Sequence, residues 1–119
     1  MNGYGKLYYS NGKLAYEGQW VKDEFFGTGK VYNDSPTMLD DSYDYTNFNN
    51  LEEQWVYYEG ELEHDLKQGH GVIMLENGEW FEGGFYEDKI NGEGKFVNLE
   101  GDIIYGRWKD NIMVEKYAD

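Results

Sequence analysis

The sequence contains no cysteine, a single proline and no apolar run approaching the roughly 18 residues that a membrane-spanning helix requires. The absence of cysteine excludes a disulfide framework, a zinc-thiolate site and a thiol nucleophile. Basic residues are also scarce, because 10 Lys and Arg stand against 24 Asp and Glu and leave a net charge of -14. We expect so acidic a chain to repel nucleic acid and anionic lipid, and neither is a predicted partner.

In place of aliphatic residues the chain has glycine and aromatic rings, with 16 Gly, 12 Tyr, 6 Phe and 4 Trp among 119 residues. A chain of this length corresponds to one domain. Its aromatic-rich, proline-poor composition favours a twisted sheet over a helical bundle. The first residues have neither the apolar core of a signal peptide nor the Arg-rich character of a transit peptide. The expected location is therefore the cytoplasm, with an organellar location left open.

Two short patterns recur along the chain and define a repeat. One is a phrase with a large apolar residue, a glycine and a second large apolar residue at alternate positions. The phrases begin at Tyr16, Tyr58, Phe81 and Ile104, and their central glycines are Gly18, Gly60, Gly83 and Gly106. The other is a Gly-x-Gly pair, found at Gly3/Gly5, Gly27/Gly29, Gly69/Gly71 and Gly92/Gly94. The repeat is 23 or 24 residues long, and the second repeat carries an insertion of about 18 residues.

Each repeat has the pattern of a β-hairpin. A short strand follows Gly-x-Gly, and a turn follows it at Asn11-Gly12, Asn77-Gly78 and Glu100-Gly101. Asn-Gly between alternating runs predicts a type I′ turn, in which both central residues have positive φ. The alternating phrase is then the second strand, whose large residues face one side. Its glycine either leaves room for a neighbouring ring or lets the strand bend. A second set of turns is predicted three residues after the phrases end, at Asp23, Asp65, Asp88 and Asn111.

The combination of Gly-x-Gly, a turn glycine and Tyr-x-Gly-x-Trp at about 23 residues resembles the MORN repeat (membrane occupation and recognition nexus). The resemblance implies an all-β fold, a single-layer, elongated and twisted antiparallel sheet of successive hairpins. It divides the chain into an array over residues 1–111, with repeats at about 3–26, 27–68, 69–91 and 92–111. Residues 112–119 are predicted to be a C-terminal cap or tail, because Glu115 stands where the next Gly-x-Gly would begin.

The insertion, residues 34–53, reads DSPTMLDDSYDYTNFNNLEE, and no Lys or Arg occurs between Val31 and Leu66. Long loops are commonly functional or disordered, so two interpretations stand: a solvated loop, or a docking segment for a basic, partly apolar surface. In the second, the candidate anchors are Tyr43, Tyr45, Phe48 and Leu51, and the candidate charges are Asp40, Asp41 and Asp44. With either, removal of residues 35–52 is expected to leave a folded array, because loop-closure entropy grows slowly with length.

Catalytic and metal-binding patterns are weak throughout the chain. A calcium loop beginning at Asp40 lacks glycine at its sixth position and ends on Leu51. His64 and His70 adjoin turn and repeat residues, and neither has a Ser or Cys nucleophile in an elbow context. Gly27 to Lys30 resembles a phosphate loop, but no Gly-Lys-Ser/Thr follows. We therefore expect no enzymatic activity, no metal and no cofactor.

The expected function is a non-enzymatic protein-protein interaction scaffold, because repeats and one insertion occupy the whole chain and a single-layer sheet offers a long surface. Trp20 and Trp108, on equivalent rungs of the first and last repeats, are further candidate partner-binding residues. The resemblance implies a small subunit of a cytoskeletal, ciliary or other multi-subunit assembly, and we expect partners with basic or helical surfaces. Two alternatives stay open: a phospholipid-binding module, disfavoured by the lack of a basic patch, and an accessory subunit of an enzyme complex.

Overall fold

The computed structural model describes residues 2–118 and shows one open sheet of nine antiparallel strands in which each strand pairs with the next along the chain. The strands are β1 Gly3–Tyr8, β2 Leu14–Val21, β3 Glu24–Tyr32, β4 Trp55–Glu63, β5 Leu66–Leu75, β6 Trp80–Tyr86, β7 Lys89–Val97, β8 Ile103–Lys109 and β9 Ile112–Lys116. A single 3-10 turn occupies Phe48–Asn50. The predicted all-β sheet of successive hairpins is confirmed. Residues 1 and 119, at the ends of the predicted array and tail, lie outside the described range.

The segment after Asn111 is a strand, so the predicted boundary at residue 111 is not a boundary of the sheet. β9 pairs antiparallel with β8 and places Lys116 opposite Gly106. Glu115 interrupts the Gly-x-Gly pattern without stopping the strand, because the hydrogen bonds of a ladder come from the backbone. The sheet therefore consists of β1 followed by four hairpins, β2–β3, β4–β5, β6–β7 and β8–β9.

Four two-residue turns close these hairpins along one long edge of the sheet, at the ends of the strands. Both residues of each turn have positive φ, between 48° and 73°, at Lys22-Asp23, His64-Asp65, Glu87-Asp88 and Asp110-Asn111. These are type I′ turns, and the turn positions predicted from the recurring Asp and Asn are confirmed. The side chains also join neighbouring hairpins: Asp65 Oδ1 accepts the Phe25 N–H at 2.6 Å, and the equivalent bonds run from Lys67 to Asp88 and from Ile90 to Asn111.

The turns at the opposite edge differ from the predicted type I′ form. Only their glycines, Gly12, Gly78 and Gly101, have positive φ. In the first of them, the Gly12 N–H donates to the Tyr9 carbonyl at 2.9 Å and the Tyr9 N–H donates to the Lys13 carbonyl at 2.8 Å. This is a type I turn followed by a left-handed glycine, the usual solution when a hairpin loop is longer than two residues. The predicted turn type is therefore wrong at this edge, while the turn positions are right.

A continuous row of glycines crosses the sheet from β1 to β8. Each glycine stands opposite the next in register, in the order Gly5, Gly18, Gly29, Gly60, Gly71, Gly83, Gly94 and Gly106. One ring covers each pair from a neighbouring position: Tyr16 lies over Gly18 and Gly29, Tyr58 over Gly60 and Gly71, and Phe81 over Gly83 and Gly94. Of the two roles predicted for the central glycine, the structure shows that it makes room for a ring.

The first glycine of a Gly-x-Gly pair serves a different purpose from the second. Gly27 and Gly69 have φ of 77° and 81°, a conformation that side chains other than glycine rarely adopt. They lie where β3 and β5 each carry two more residues than the strand opposite, between the glycine row and the type I′ turn. Gly3 and Gly92 have positive φ as well. Gly-x-Gly thus combines a bulge residue with a residue of the glycine row.

The core lies on the face of the sheet that carries these rings. Its largest members alternate along the even-numbered strands β2, β4, β6 and β8, at Tyr16, Trp20, Tyr58, Leu62, Phe81, Phe85 and Trp108, and all are buried. Neighbouring rings meet edge to face, with centroids 5.0 Å apart for Tyr58 and Phe85 and for Phe81 and Trp108. Such pairs contribute about 0.5–1.5 kcal/mol each beyond the area they bury.

We expect Gly71→Ala to lower the free energy of unfolding by about 1–3 kcal/mol or more, because the new methyl group would overlap the Tyr58 ring. The ring has little freedom to move, since its hydroxyl donates to the Glu61 carbonyl at 2.7 Å. Gly78→Ala is the control, because it meets only open space and adds just the strain of a left-handed backbone. Urea unfolding of both variants measures the difference, and a G71A protein as stable as G78A would contradict the covering role of Tyr58.

Candidate functional site

The inserted segment folds back over the core face of the sheet. Residues 33–54, which join β3 to β4 and which we call the strap, leave and return through a short hydrogen-bonded neck. There the Asn33 N–H donates to the Val56 carbonyl and the Thr37 N–H donates to the Glu53 carbonyl, both at 2.9 Å. From this neck the strap reaches β9, at the far edge of the sheet, where Asn47 bridges to Ile112.

Three apolar side chains of the strap complete the core. Tyr43, Phe48 and Leu51 are each at most 9% exposed. The Phe48 ring lies within 5.6 to 6.3 Å of three rings of the sheet, those of Phe81, Phe96 and Trp108. Tyr45 is partly buried and packs on Phe96. The strap is therefore a second layer over the C-terminal half of the sheet.

A buried carboxylate fastens the strap near its middle. Glu79, the residue before β6, is 1% exposed and accepts the Tyr43 N–H at 2.7 Å and the Asn77 side-chain amide at 2.6 Å. Its second oxygen accepts the Leu99 N–H at 3.2 Å. Several N–H donors compensate for the loss of water around a carboxylate. Sequence reasoning missed Glu79, whose only local signal is its place directly after the Asn77-Gly78 turn.

The strap is also hydrogen-bonded to the last hairpin of the sheet. The Trp108 indole donates to the Tyr45 carbonyl at 2.8 Å, and the Met113 N–H donates to the Thr46 carbonyl at 2.9 Å. The Phe48 N–H donates to the Asn111 carbonyl at 2.8 Å. These bonds place the strap alongside β9 and protect part of that edge of the sheet.

The structure separates the predicted binding residues of the insertion into two groups. The proposed anchors Tyr43, Phe48 and Leu51 lie in the protein's own core, with Tyr45 at its border, so in this conformation they are not available to a partner. The proposed charges Asp40, Asp41 and Asp44 are exposed. The strap is thus not the solvated loop of the first interpretation. Its deletion would uncover Phe81, Phe96 and Trp108, so the expectation that residues 35–52 are dispensable is corrected.

Trp20 and Trp108 are both core residues, at 8% and 1% exposure. Their surroundings differ, because the strap supplies an acceptor to the Trp108 indole, whereas the buried Trp20 Nε1 has no hydrogen-bond partner in the part of the chain that the structure describes. Trp20 instead packs edge to face against Tyr16 and Phe25, whose rings are stacked on each other. The N-terminal hairpin therefore covers its own core without the strap.

The opposite face of the sheet is polar. Beside the glycine row, charges of opposite sign alternate from strand to strand, in the order Lys6, Glu17, Lys30 and Glu59. Further along the sheet, the Glu82 carboxylate lies 2.9 Å from His70 Nε2 and 3.6 Å from Lys95 Nζ. A shallow groove of about 370 Å³ lies here, with Gly83 and Gly94 among its lining residues. Cross-strand pairs of this kind add modest stability to a sheet.

Over residues 2–118, no three His, Asp or Glu side chains lie close enough together to hold a metal ion. The candidate calcium loop that begins at Asp40 contains no such group either. Across the same residues the structure contains no helix with the length and apolar character needed to cross a membrane.

Burial changes the acidity of several core groups. It raises the pKa of Tyr16 to about 12 and raises the pKa values of Tyr43 and Tyr58 as well, because the charged phenolate is poorly solvated there. Burial likewise lowers the pKa of Lys67, whose ammonium lies over the Trp55 and Tyr58 rings, and Asp88 at 3.8 Å partly opposes this change.

The family model for the MORN repeat matches four stretches, residues 1–13, 16–34, 58–80 and 81–98, which together make up more than half of the chain. The chain belongs to the MORN-repeat family. MORN repeats are commonly protein or membrane-lipid interaction modules and are generally non-enzymatic, which is consistent with a binding role. The matched stretches leave out most of the strap and the β8–β9 hairpin, although this hairpin closes with the same type I′ turn as the others.

Trp108→Phe should cost about 0.5–1.5 kcal/mol more stability than Trp20→Phe, although both changes remove an indole from an equivalent rung. The first leaves the Tyr45 carbonyl without its donor, whereas the second breaks no hydrogen bond. Urea unfolding followed by circular dichroism gives both values. Equal losses would mean that the indole bond does not hold the strap to the sheet.

Stability should fall as the pH rises above about 10, the pKa of tyrosine in an unfolded chain. Because folding raises the pKa of Tyr16 and Tyr58, the unfolded chain loses their protons first, and the stability present below this pH is lost as the pH climbs through the folded-state values. The double variant Y16F/Y58F should lose less, and Phe81 shows that phenylalanine fits this position. Urea midpoints between neutral and alkaline pH test this, and identical pH profiles for the two proteins would contradict it.

Proposed function

We propose that this protein is a non-enzymatic scaffold that holds another protein in a multi-subunit assembly, and that the outer surface of the strap makes the contact. The observation that carries this proposal is the orientation of the strap. Its rings face the core, while five of its six carboxylates, Asp40, Asp41, Asp44, Glu52 and Glu53, are exposed. The strap therefore presents a negatively charged surface that is packed on the sheet.

A preformed surface of this kind favours binding, because the strap is already ordered and little conformational entropy remains to be lost on association. Its charge sets the chemistry of the partner. No Lys or Arg occurs between Val31 and Leu66, and the whole chain carries -14. A partner with a basic surface would be steered toward the strap, with an association rate that falls as salt is added. The setting that we propose is cytoplasmic, within a ciliary, cytoskeletal or other large assembly.

Phospholipid binding, the other common role of MORN repeats, has less support in this chain. Attraction to anionic headgroups contributes about 1 kcal/mol for each Lys or Arg near the surface. Here basic side chains beside the glycine row are paired with carboxylates, Lys6 with Glu17 and Lys95 with Glu82. Sedimentation with phosphoinositide-containing vesicles at physiological salt is expected to leave the protein in the supernatant.

The triple variant D40N/D41N/D44N tests the role of the strap. Asparagine keeps the size of each side chain and the oxygen with which Asp44 accepts from Thr46, so the fold should be preserved. We expect the immobilised variant to capture partners from native lysate several-fold less than the unmodified protein. The matched control is E59Q/E87Q/E100Q, which removes the same charge from exposed residues outside the strap.

Quantitative mass spectrometry of the captured proteins, with circular dichroism of each variant, decides the outcome. Loss with the strap variant and retention with the control would support the proposal. Equal capture by all three proteins would refute a role for the strap, and equal loss with both variants would indicate attraction to net charge alone.

A further inference from the structure

A row of eight exposed side chains lies beside the type I′ turns, on the polar face of the sheet. Its members are the residues directly before and after each turn, and they pair in register as Val21 with Glu24, Glu63 with Leu66, Tyr86 with Lys89 and Lys109 with Ile112. We call them the turn-edge row. Each even-numbered strand places a buried core residue immediately before its row member, so the row faces away from the core.

The composition of the row follows a simple order. Every pair contains one apolar and one charged residue, and the apolar ones are between 36% and 52% exposed. From β2 to β9 the row reads apolar, acidic, acidic, apolar, apolar, basic, basic, apolar, as Val21, Glu24, Glu63, Leu66, Tyr86, Lys89, Lys109 and Ile112. The acidic residues are confined to the first two hairpins and the basic ones to the last two.

This order is complementary to its own reverse. If a second copy is turned by a two-fold axis that passes between β5 and β6, strand β2 of one copy meets β9 of the other and β5 meets β6. Apolar residues then face apolar ones, Val21 with Ile112 and Leu66 with Tyr86. Acidic residues face basic ones, Glu24 with Lys109 and Glu63 with Lys89. In a two-fold interface each of these contacts occurs twice.

We propose that two copies of this chain associate through the turn-edge row in this antiparallel arrangement. The row spans seven strand spacings, or about 34 Å, which is most of the 45 Å length of the protein. Eight residues from each copy are fewer than the roughly 20–30 of a standard interface, so the dimer is reversible and depends on concentration. The strap lies on the other face and remains exposed in both copies.

The charged side chains of the row are accessible to a second copy. Lys89 and Lys109 are exposed and form no ion pair with any residue from 2 to 118. Over the same residues, His64 is the only ion-pair partner of Glu24 and Glu63, at 3.4 and 3.9 Å, and the two glutamate side chains are 44% and 51% exposed. The net charge of -14 opposes association of two copies, so the local pairing has to exceed a general repulsion that salt weakens. This inference is independent of the partner proposed for the strap.

Charge exchange tests the pairing in the full-length chain by sedimentation equilibrium, from micromolar to near-millimolar concentration. The unmodified protein should dimerise, and Lys89→Glu should weaken the dimer at least tenfold by setting two acidic side chains against each other. Glu63→Lys should do the same with two basic ones. The double variant E63K/K89E should dimerise like the unmodified protein, because each pair is restored with its signs exchanged.

Lys13→Glu is the matched control, since it changes the net charge equally at an exposed lysine on the opposite edge of the sheet. It should retain most of the dimer that Lys89→Glu loses. A protein that stays monomeric to near-millimolar concentration would overturn the proposal. So would a dimer that survives Lys89→Glu, or one that E63K/K89E fails to restore while its circular dichroism matches the unmodified protein.

Discussion

The fold depends on aromatic rings that pack against a row of glycines. The row from Gly5 to Gly106 lets the rings of Tyr16, Tyr58 and Phe81 approach two strands at once. A ring in that position excludes water from the backbone and buries a large apolar area, which a single-layer sheet otherwise lacks the thickness to do. The hydroxyls of Tyr16 and Tyr58 then bond to the chain three residues on, which fixes each ring over its glycines.

The two halves of the sheet complete this core in different ways. In the first hairpin Phe25 stacks on Tyr16 at 3.8 Å, so the sheet supplies its own cover. In the last two hairpins the corresponding cover comes from the strap, through Phe48 and Tyr43. A long loop has thereby become part of the core, and its acidic residues face outward because Glu79 and the rings take up the inward positions.

The sequence was sufficient to predict the sheet because spacing and residue type repeat together at Gly-x-Gly and at the turn Asp residues. It was insufficient for the Asn-Gly turns, whose form depends on loop length rather than on the dipeptide. The position of the strap was harder still to predict. Aromatic residues among carboxylates are equally suited to a partner's surface and to the protein's own sheet, so composition left open whether Phe48 would face inward or outward. The turn-edge row is invisible in sequence, since its order exists only once the strand register is known.

The contacts that hold the strap also constrain when it is able to form. The hairpins are local and join residues close in sequence, a topology that favours rapid folding. By contrast, the bond from Trp108 to Tyr45 spans 63 positions and that from Lys116 to Tyr45 spans 71. During synthesis, which proceeds from the N-terminus, the strap emerges well before β8 and β9 exist. Until the last hairpin is made, Phe48 and Leu51 have no completed site to occupy, and the carboxylates around them keep this part of the strap soluble.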